Sequence, residues 1–383
     1  MIPGPLLIDA ATVGSTAAAL AVAPRLPAPP PPGGRGRRGP GPGTALAAVT
    51  ALVYLNQLLF TVYIVRVHGG RTGFIARHLP AGWFALADHE PGIQWLAAHT
   101  PAPGLLAPSL LRVQAFLELP FVLLVFMLLL RLVDPGLHRR VGGSPLVPAA
   151  AAGYTAVFCT VEWGLRNPYT GQDIAIRILS ALVTVPVVRA LARRDGAPAR
   201  PASARGLLLL TASLWAVGHL VLDVYDTALL YNLGHLRGRL PGMLAALAVL
   251  GAVRWADRLP APAPAGPAVA ALADAVRRVF TLFLVPALAI RYGLGFGHLQ
   301  VSGLCALVLL AAAVLPALRG RAPRTVLALA AAAAAGLLAA CAAARLATGP
   351  YQEAALLAAM TVLLGTVTAG ALLADRTKIA QPA

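Results

Sequence analysis

His219, Asp223 and Asp226 are the residues of this chain whose types and spacing best suit chemistry. They recur at i, i+4 and i+7 in an apolar segment, so they project from one stripe of a helix. Two carboxylates one turn apart repel each other unless they share a proton, a metal cation or an arginine. The stripe therefore predicts proton transfer or a divalent metal held by Asp223 and Asp226. The alternative is a structural network neutralised by arginines: Arg112, Arg177 or Arg237.

Further polar residues are predicted at a similar depth in neighbouring segments. Glu118 has no basic residue within one helical turn, so we expect it to be protonated or paired across the bundle. Glu162 with Arg166, and Asp173 with Arg177, are each four residues apart, so each pair is expected to close a salt bridge within its own helix. Together these segments predict a polar cavity that opens outward. Its expected substrate-binding residues are Arg112, Arg177, Gln114, Asn56, Gln57 and Glu162.

The composition places these segments in a membrane. Hydrophobic residues make up 58% of the chain and charged residues only 12%, whereas soluble proteins carry about 25% charged residues. We predict an all-α polytopic bundle of about eleven spans, or ten if the first is a cleaved signal peptide, each near the ~20 apolar residues that cross a bilayer. The predicted spans are 5–23, 45–65, 105–130, 145–165, 172–191, 206–231, 240–257, 268–290, 299–318, 325–346 and 353–374.

The basic residues predict the orientation of the bundle. With alternate loops assigned to opposite sides, 21 arginine and lysine residues fall on one side and 8 on the other. Cytoplasmic loops are enriched in basic residues, so the N-terminus is expected outside and the C-terminus in the cytoplasm. The net charge of +17 is dispersed over short loops, which argues against nucleic-acid binding. The excess of Arg, Ala, Gly and Pro is typical of a GC-rich bacterial genome, and we expect the plasma membrane as the location.

Three regions differ in character. Residues 1–44 are expected to hold the first span and a basic Pro/Gly-rich linker. Residues 45–238 form the predicted polar half of the bundle, including an outer loop at 66–104 whose mixed aromatic and polar residues suit interfacial helices. Residues 239–383 hold few ionisable groups within their apolar runs and are rich in Ala and Gly, so this half is expected to be a scaffold.

Two short strings are similar to fragments of the motifs of the CPBP (Abi) intramembrane proteases. They are Glu162-xxx-Arg166 and His219-xxx-Asp223. The chain departs from that family because Val161 stands where a paired glutamate is expected, and because the middle histidine motif has no counterpart. We therefore assign the chain to no family on this basis.

The distribution of ionisable groups favours an enzyme. Transporters built from inverted repeats place polar or broken helices in both halves, whereas here one half holds nearly all of them. We expect an integral membrane enzyme whose partners are membrane lipids and a hydrophobic small-molecule substrate, a lipid or an isoprenoid. The expected chemistry is acid–base cyclisation or isomerisation, or transfer from a polyprenyl phosphate. Its expected catalytic residues are Glu118, His219, Asp223 and Asp226. A proton- or ion-coupled transporter and a non-catalytic assembly protein are the alternatives.

Overall fold

The computed structural model describes most of the chain. The described residues are 41–73, 85–101, 106–165, 169–194, 203–260, 265–280, 311, 314–346 and 352–379. All regular elements among them are helical. This agrees with the predicted all-α class.

The described chain contains eleven α-helices, numbered here in chain order. They are α1 Pro42–His68, α2 Pro91–His99, α3 Leu106–Val133, α4 Pro135–Gly143, α5 Leu146–Leu165, α6 Thr170–Arg194, α7 Ala204–Val224, α8 Leu236–Ala256, α9 Pro267–Val279, α10 Pro323–Leu346 and α11 Gln352–Ile379. A π-helical turn, Tyr225–Leu229, and a 3₁₀ turn, Leu233–His235, connect α7 to α8. Proline begins α1, α2, α4 and α9, where its missing N–H would be unpaired in any case.

Seven of the described segments are long and apolar enough to cross a membrane. They are Pro42–His68, Leu110–Val133, Thr170–Arg194, Ala204–Leu229, Leu233–Ala256, Pro323–Leu346 and Ala358–Arg376. Each coincides with a predicted span. The predicted span 145–165 is helical but has only a shorter apolar stretch, Leu146–Thr160. The described part of 268–290 is the 13-residue helix α9. The span 5–23 and most of 299–318 lie outside the described residues, so a count of eleven and the orientation of the termini stay predictions.

The surface of the bundle is apolar. Leu182, Leu327 and Leu338 are 68%, 72% and 76% exposed, and they lie in three different spans. Trp163 and Trp255, at the ends of α5 and α8, are also largely exposed, as is usual for tryptophans at the level of lipid headgroups. Exposed leucines in such number are stable in contact with acyl chains. The protein is a multi-pass membrane protein.

Helix α3 is the centre of the bundle. In an apolar stretch of 18 residues of α3, 61% of the stretch is buried inside the protein. The corresponding share in the other six spans is 11–44%. It packs against α1, α6 and α7, and the second half of the helix contributes Phe121, Val122 and Val125 to the main core.

Two ends of the bundle are named here by their residues. The polar end holds the α7–α8 connection (225–236) and the start of α6, and the basic end holds α4 and the end of α6.

One carboxylate fastens α9 to α11. Asp375 of α11 accepts the main-chain N–H groups of Ala268 and Val269 at 2.9 and 3.1 Å. These are unpaired donors in the first turn of α9, where the helix dipole also favours a negative charge. A Cβ atom on Gly266 would overlap that carboxylate, so glycine is required there.

Loss of this cap is expected to destabilise the protein measurably. Asp375→Ala should lower the free energy of unfolding by about 1–2 kcal/mol, the upper range for an N-cap. Gly266→Ala should act in the same direction because it displaces the carboxylate. Thermal unfolding in detergent measures both. Asp274→Ala is the control, since the side chain of Asp274 is 42% exposed and pairs with Arg278 at 3.3 Å. Equal stability of all three variants would contradict the cap.

Candidate functional site

Arg177 forms a buried ion-pair cluster with two glutamates. Its Nη1 lies 3.0 Å from Oε2 of Glu118, and its Nη2 and Nε lie 2.8 and 3.0 Å from Oε1 of Glu162. The three side chains are only 10–16% exposed. Because α6 packs on both α3 and α5, the guanidinium fork reaches a carboxylate on each neighbour. We call these three residues the Arg177 cluster.

Glu118 is thus paired across the bundle, one of the two states expected for it. The predicted salt bridge between Asp173 and Arg177 within α6 is wrong. Arg177 turns away to the two glutamates, and the nearest arginine contact described for Asp173 is Arg112, at 3.8 Å. A planar guanidinium gains more from two buried carboxylates than from one at the helix end. Arg166 lies outside the described residues, so its predicted pairing with Glu162 is not described.

The second cluster contains the His/Asp/Asp stripe. Nε2 of His219 lies 3.3 Å from Oδ2 of Asp223, and Nδ1 of His235 lies 3.3 Å from both oxygens of Asp226. Arg239 of α8 bridges the acids, with Nη2 3.2 Å from Asp226 and Nε 3.9 Å from Asp223. Both carboxylates are 4% exposed, whereas the imidazoles of His219 and His235 are 28% and 41% exposed. These five residues are the His219 cluster.

The α7–α8 connection positions the His219 cluster. Asn232 donates to Oδ1 of Asp226 at 3.1 Å and accepts the N–H of Ala85 at 2.9 Å. The N–H of Gly234 donates to the carbonyl of Ala85 at 2.7 Å, and a Cβ on Gly234 would lie 2.9 Å from that oxygen. The segment before α2 is therefore held against the polar end by the side chain of Asn232 and by one main-chain bond whose close approach requires a glycine at 234.

Tyr231 occupies the same connection under backbone strain. Its φ is 60°, which is uncommon for a residue with a side chain. Its ring is buried and packs edge-on against Phe60 at 4.9 Å. Burial raises the pKa of the phenol, and the negative charge of Glu118 raises it further. The phenol therefore stays protonated, and it lies within the electrostatic field of the Arg177 cluster.

The amide residues predicted to bind substrate are committed to the fold. Asn56 donates to the carbonyl of Leu110 and to Oε1 of Gln114 at 3.0 and 3.1 Å. Gln114 donates to the carbonyl of Ala228 in the π-helical turn at 3.1 Å. Gln57 is fully buried, and among the described residues neither its amide nitrogen nor its amide oxygen has a hydrogen-bond partner. Asn56 and Gln114 thus join α1, α3 and the π-helical turn.

Many of the side chains predicted to line one polar cavity form two charged clusters, and the cavity itself stays a prediction. Beside the Arg177 cluster lies a shallow cleft, lined by Ala115, Leu119, Tyr154, Thr155, Arg177 and Ser180. It has no enclosed room for even a water-sized molecule, so this cleft is not a substrate pocket. The polar side chains predicted to line one space instead pair with each other, because unpaired charges are costly in a bilayer.

The carboxylates of the His219 cluster do not fit a divalent metal. Among the described residues, no three His, Cys, Asp or Glu side chains are placed to hold a metal ion. Arg239 lies where such an ion would have to sit between Asp223 and Asp226. We therefore derive no chemistry through a metal.

Sequence reasoning missed two residues just beyond the predicted polar half. Arg239, and not Arg112, Arg177 or Arg237, neutralises the acids. Gly242 lets α8 approach His219, since a Cβ there would lie 2.6 Å from Nε2. The short connection after Asp226 could have indicated both residues. Helices joined by few residues pack as antiparallel neighbours, which places the start of α8 beside the end of α7.

No family model, curated protein or solved structure matches this chain. Its function is therefore argued from the two clusters themselves.

Proposed function

We propose that this protein is an integral membrane enzyme that transfers a proton to or from a lipid or isoprenoid substrate, with His219 as the catalytic acid or base. The observation that carries the proposal is the His219–Asp223 pair. Asp223 is buried and faces Nε2 of the imidazole at 3.3 Å, while the ring itself keeps 28% of its surface exposed. A buried carboxylate that orients an accessible histidine is a common arrangement for general acid–base catalysis.

The charge of Asp223 indicates which ring nitrogen would react. Oδ2 of Asp223 accepts no hydrogen bond among the described residues, but its negative charge at 3.3 Å favours the tautomer with the proton on Nε2, which leaves the lone pair on Nδ1 for a substrate. Trp215 stacks on the imidazole at 5.5 Å with an angle of 11° between the planes. Gly242 of α8 lies close to the ring on the Nε2 side. These contacts fix the ring plane, so Asp223 and Trp215 act as positioning residues.

The rest of the His219 cluster sets the charge around His219. The side chain of His235 is 41% exposed and contacts Asp226, and Arg239 links Asp226 to Asp223. His219 precedes Asp226 by seven residues, so it lies about 10 Å deeper along the helix axis. Arg239 stays protonated and carries no proton between the acids, so a proton consumed at His219 would be replaced by water at the exposed part of its ring. Glu118, bonded to Arg177, receives no role in proton transfer.

The candidate group for an anionic headgroup is Arg112. Arg177 binds two glutamates, whereas Nε of Arg112 has no hydrogen-bond partner in the described part of the chain and lies 3.8 Å from Asp173. The Arg112 guanidinium also lies 5.0 Å from the ring of Tyr169 at the polar end. A phosphate-bearing isoprenoid would thus find a cation at the membrane surface and the imidazole deeper in the bundle.

Deuterium incorporation tests the proposal without knowledge of the substrate. The purified chain in liposomes containing the host lipid extract is incubated in D₂O, and lipid mass spectra are compared. The wild type should add deuterium to carbon in one lipid class. Asp223→Asn and His219→Gln should each lower the rate by at least about tenfold, a conservative loss for a general acid or base. Asp274→Asn, outside the cluster, should leave it unchanged. Equal deuteration in all four proteins, or none in any, would refute the proposal.

The second candidate is a proton-coupled transporter. It is favoured by the order of groups in the His219 cluster, in which two accessible histidines flank two buried carboxylates. Such chains of ionisable side chains carry protons in pumps and transporters. Liposomes loaded with a pH-sensitive dye distinguish the two functions. A substrate-dependent proton flux abolished by Asp226→Asn supports transport, and lipid deuteration without flux supports the enzyme.

The close approach of α8 predicts a variant that separates activity from stability. Gly242→Ala places a methyl group 2.6 Å from Nε2 of His219, so the imidazole must shift from its position beside Asp223. We expect the rate of lipid deuteration to fall about fivefold or more. The free energy of unfolding should change by less than about 1 kcal/mol, because the group that must move is a side chain and not the backbone. Gly251→Ala, on the same helix with open space around it, is the matched control. Full activity in Gly242→Ala would show that the ring position is unimportant.

A further inference from the structure

At the basic end, the short helix α4 lies across the ends of α3 and α6. His138 is fully buried, and its Nδ1 lies 2.9 Å from the carbonyl of Met127. Gly142 touches Ala192 of α6 so closely that a Cβ would overlap the alanine methyl group. This packing fixes the position of α4 relative to the last turns of α6.

Two further arginines flank the contact that Arg189 makes between α6 and α4. Nη2 of Arg189 donates to the carbonyl of Gly143 at 3.2 Å. Arg139 lies four residues before Gly143 on α4, and Arg193 lies four residues after Arg189 on α6, so each begins about one helical turn from this contact. We call Arg139, Arg189 and Arg193 the basic triad.

Among the described residues, no carboxylate lies within 4.0 Å of any of the three guanidinium groups. Nε of Arg189 is buried and has no hydrogen-bond acceptor in this part of the chain. Asp134, the acid at the start of α4, accepts the N–H of Leu137 at 3.0 Å as the cap of that helix. Cations about one helical turn apart repel one another, and an anion between them lowers that repulsion.

Helix α6 continues from the triad into an apolar, exposed surface. Leu182 lies seven residues before Arg189 and therefore on the same face, and it is 68% exposed. Val183 and Val187 beside it are 45% and 48% exposed. A ligand here meets arginines at headgroup level and an acyl-chain surface directly below them.

We propose that the basic triad binds the phosphate of an anionic phospholipid whose acyl chains lie along Leu182, Val183 and Val187. Guanidinium groups bind phosphate through paired, charge-assisted hydrogen bonds. Basic pockets between membrane helices on the cytoplasmic side bind acidic headgroups in this way, and the basic end is the one that the charge bias predicts to be cytoplasmic. This site is separate from the His219 cluster, which lies at the opposite end, so the two proposals stand independently.

Native mass spectrometry of the full chain, titrated with phosphatidylglycerol or phosphatidylcholine of matched acyl chains, tests the site. The wild type should bind phosphatidylglycerol preferentially. Arg139→Gln combined with Arg193→Gln should weaken the binding of phosphatidylglycerol about 25-fold, which is about fivefold for each arginine. The binding of phosphatidylcholine should not change. Arg189 is kept because it supports α4. If the double variant does not fold, Arg193→Gln alone is tested for weaker phosphatidylglycerol binding, because Arg193 is exposed.

Arg321→Gln combined with Arg324→Gln is the matched control, since it removes the same charge from the same predicted side at the start of α10. An equal loss in this control would show diffuse attraction and overturn the site, as would equal affinity for the two lipids. Competition distinguishes a lipid from free phosphate. If inorganic phosphate displaces the lipid at equal concentration, the acyl-chain contacts contribute nothing and the lipid assignment fails.

Discussion

Arg177→Met should lower the free energy of unfolding by about 3–5 kcal/mol, the usual cost of leaving a buried charge without its partner. The substitution keeps much of the side-chain volume but leaves Glu118 and Glu162 facing each other at 16% and 12% exposure. Both lose their hydrogen-bond donors, at 3.0 and 2.8 Å. Phe158 also loses the guanidinium that lies 4.5 Å from its ring.

Thermal and denaturant unfolding in detergent measure this loss. Arg112→Met is the matched control, because Arg112 is more exposed and its carboxylate lies at 3.8 Å, so its loss should be below about 1 kcal/mol. Adding Glu118→Gln and Glu162→Gln to Arg177→Met removes both orphaned charges and should restore most of the stability. If the triple variant is no more stable than Arg177→Met, the loss comes from packing and not from charge.

Arg239→Leu should cost about 3 kcal/mol, at the lower limit for a broken buried ion pair. Two carboxylates at 4% exposure then lose the cation between them, while His219 and His235 still compensate part of their charge. The variant should also lose lipid deuteration, because the acids that connect the two histidines no longer hold their arrangement.

Asp226→Asn, added to Arg239→Leu, tests whether repulsion between the two acids causes the loss of stability. If repulsion between the acids destabilises Arg239→Leu, the combined variant should recover at least half of the lost stability. Arg237→Leu controls for the loss of an arginine two residues away on the same helix, where the side chain is exposed. It should change stability by less than about 0.5 kcal/mol, as most surface substitutions do. A loss in Arg237→Leu equal to that in Arg239→Leu would contradict the bridging role.

Composition and periodicity predicted the parts of this fold that one segment determines alone. The seven described spans follow from runs of about 20 apolar residues. The stripe of His219, Asp223 and Asp226 follows from helical spacing, and Arg239 indeed contacts both acids from one side. The lipid-facing surface likewise needed no knowledge of neighbouring helices.

What the sequence left open was the choice of partners. Arg177 has an acid one turn away in Asp173 but bonds to Glu118, 59 residues distant, and to Glu162. Asn56 and Gln114 were expected at a substrate, but they bond to each other across two helices. Such choices depend on which helices pack together and how each is rotated, and spacing along one helix carries no information on either.

The π-helical turn at Tyr225–Leu229 sets where α7 ends and where the connection to α8 begins. A π turn accommodates one more residue than the α-helix it interrupts. Deleting Ala228 would allow a regular helix, and the connection would then leave α7 one residue, or about 100°, out of place. Asn232, His235 and Arg239, which reach the acids from beyond the turn, would lose their alignment, and Gln114 would lose the carbonyl of Ala228 as an acceptor. A single-residue length change at this position would therefore disconnect α8 from the acids of α7 without altering any charged side chain.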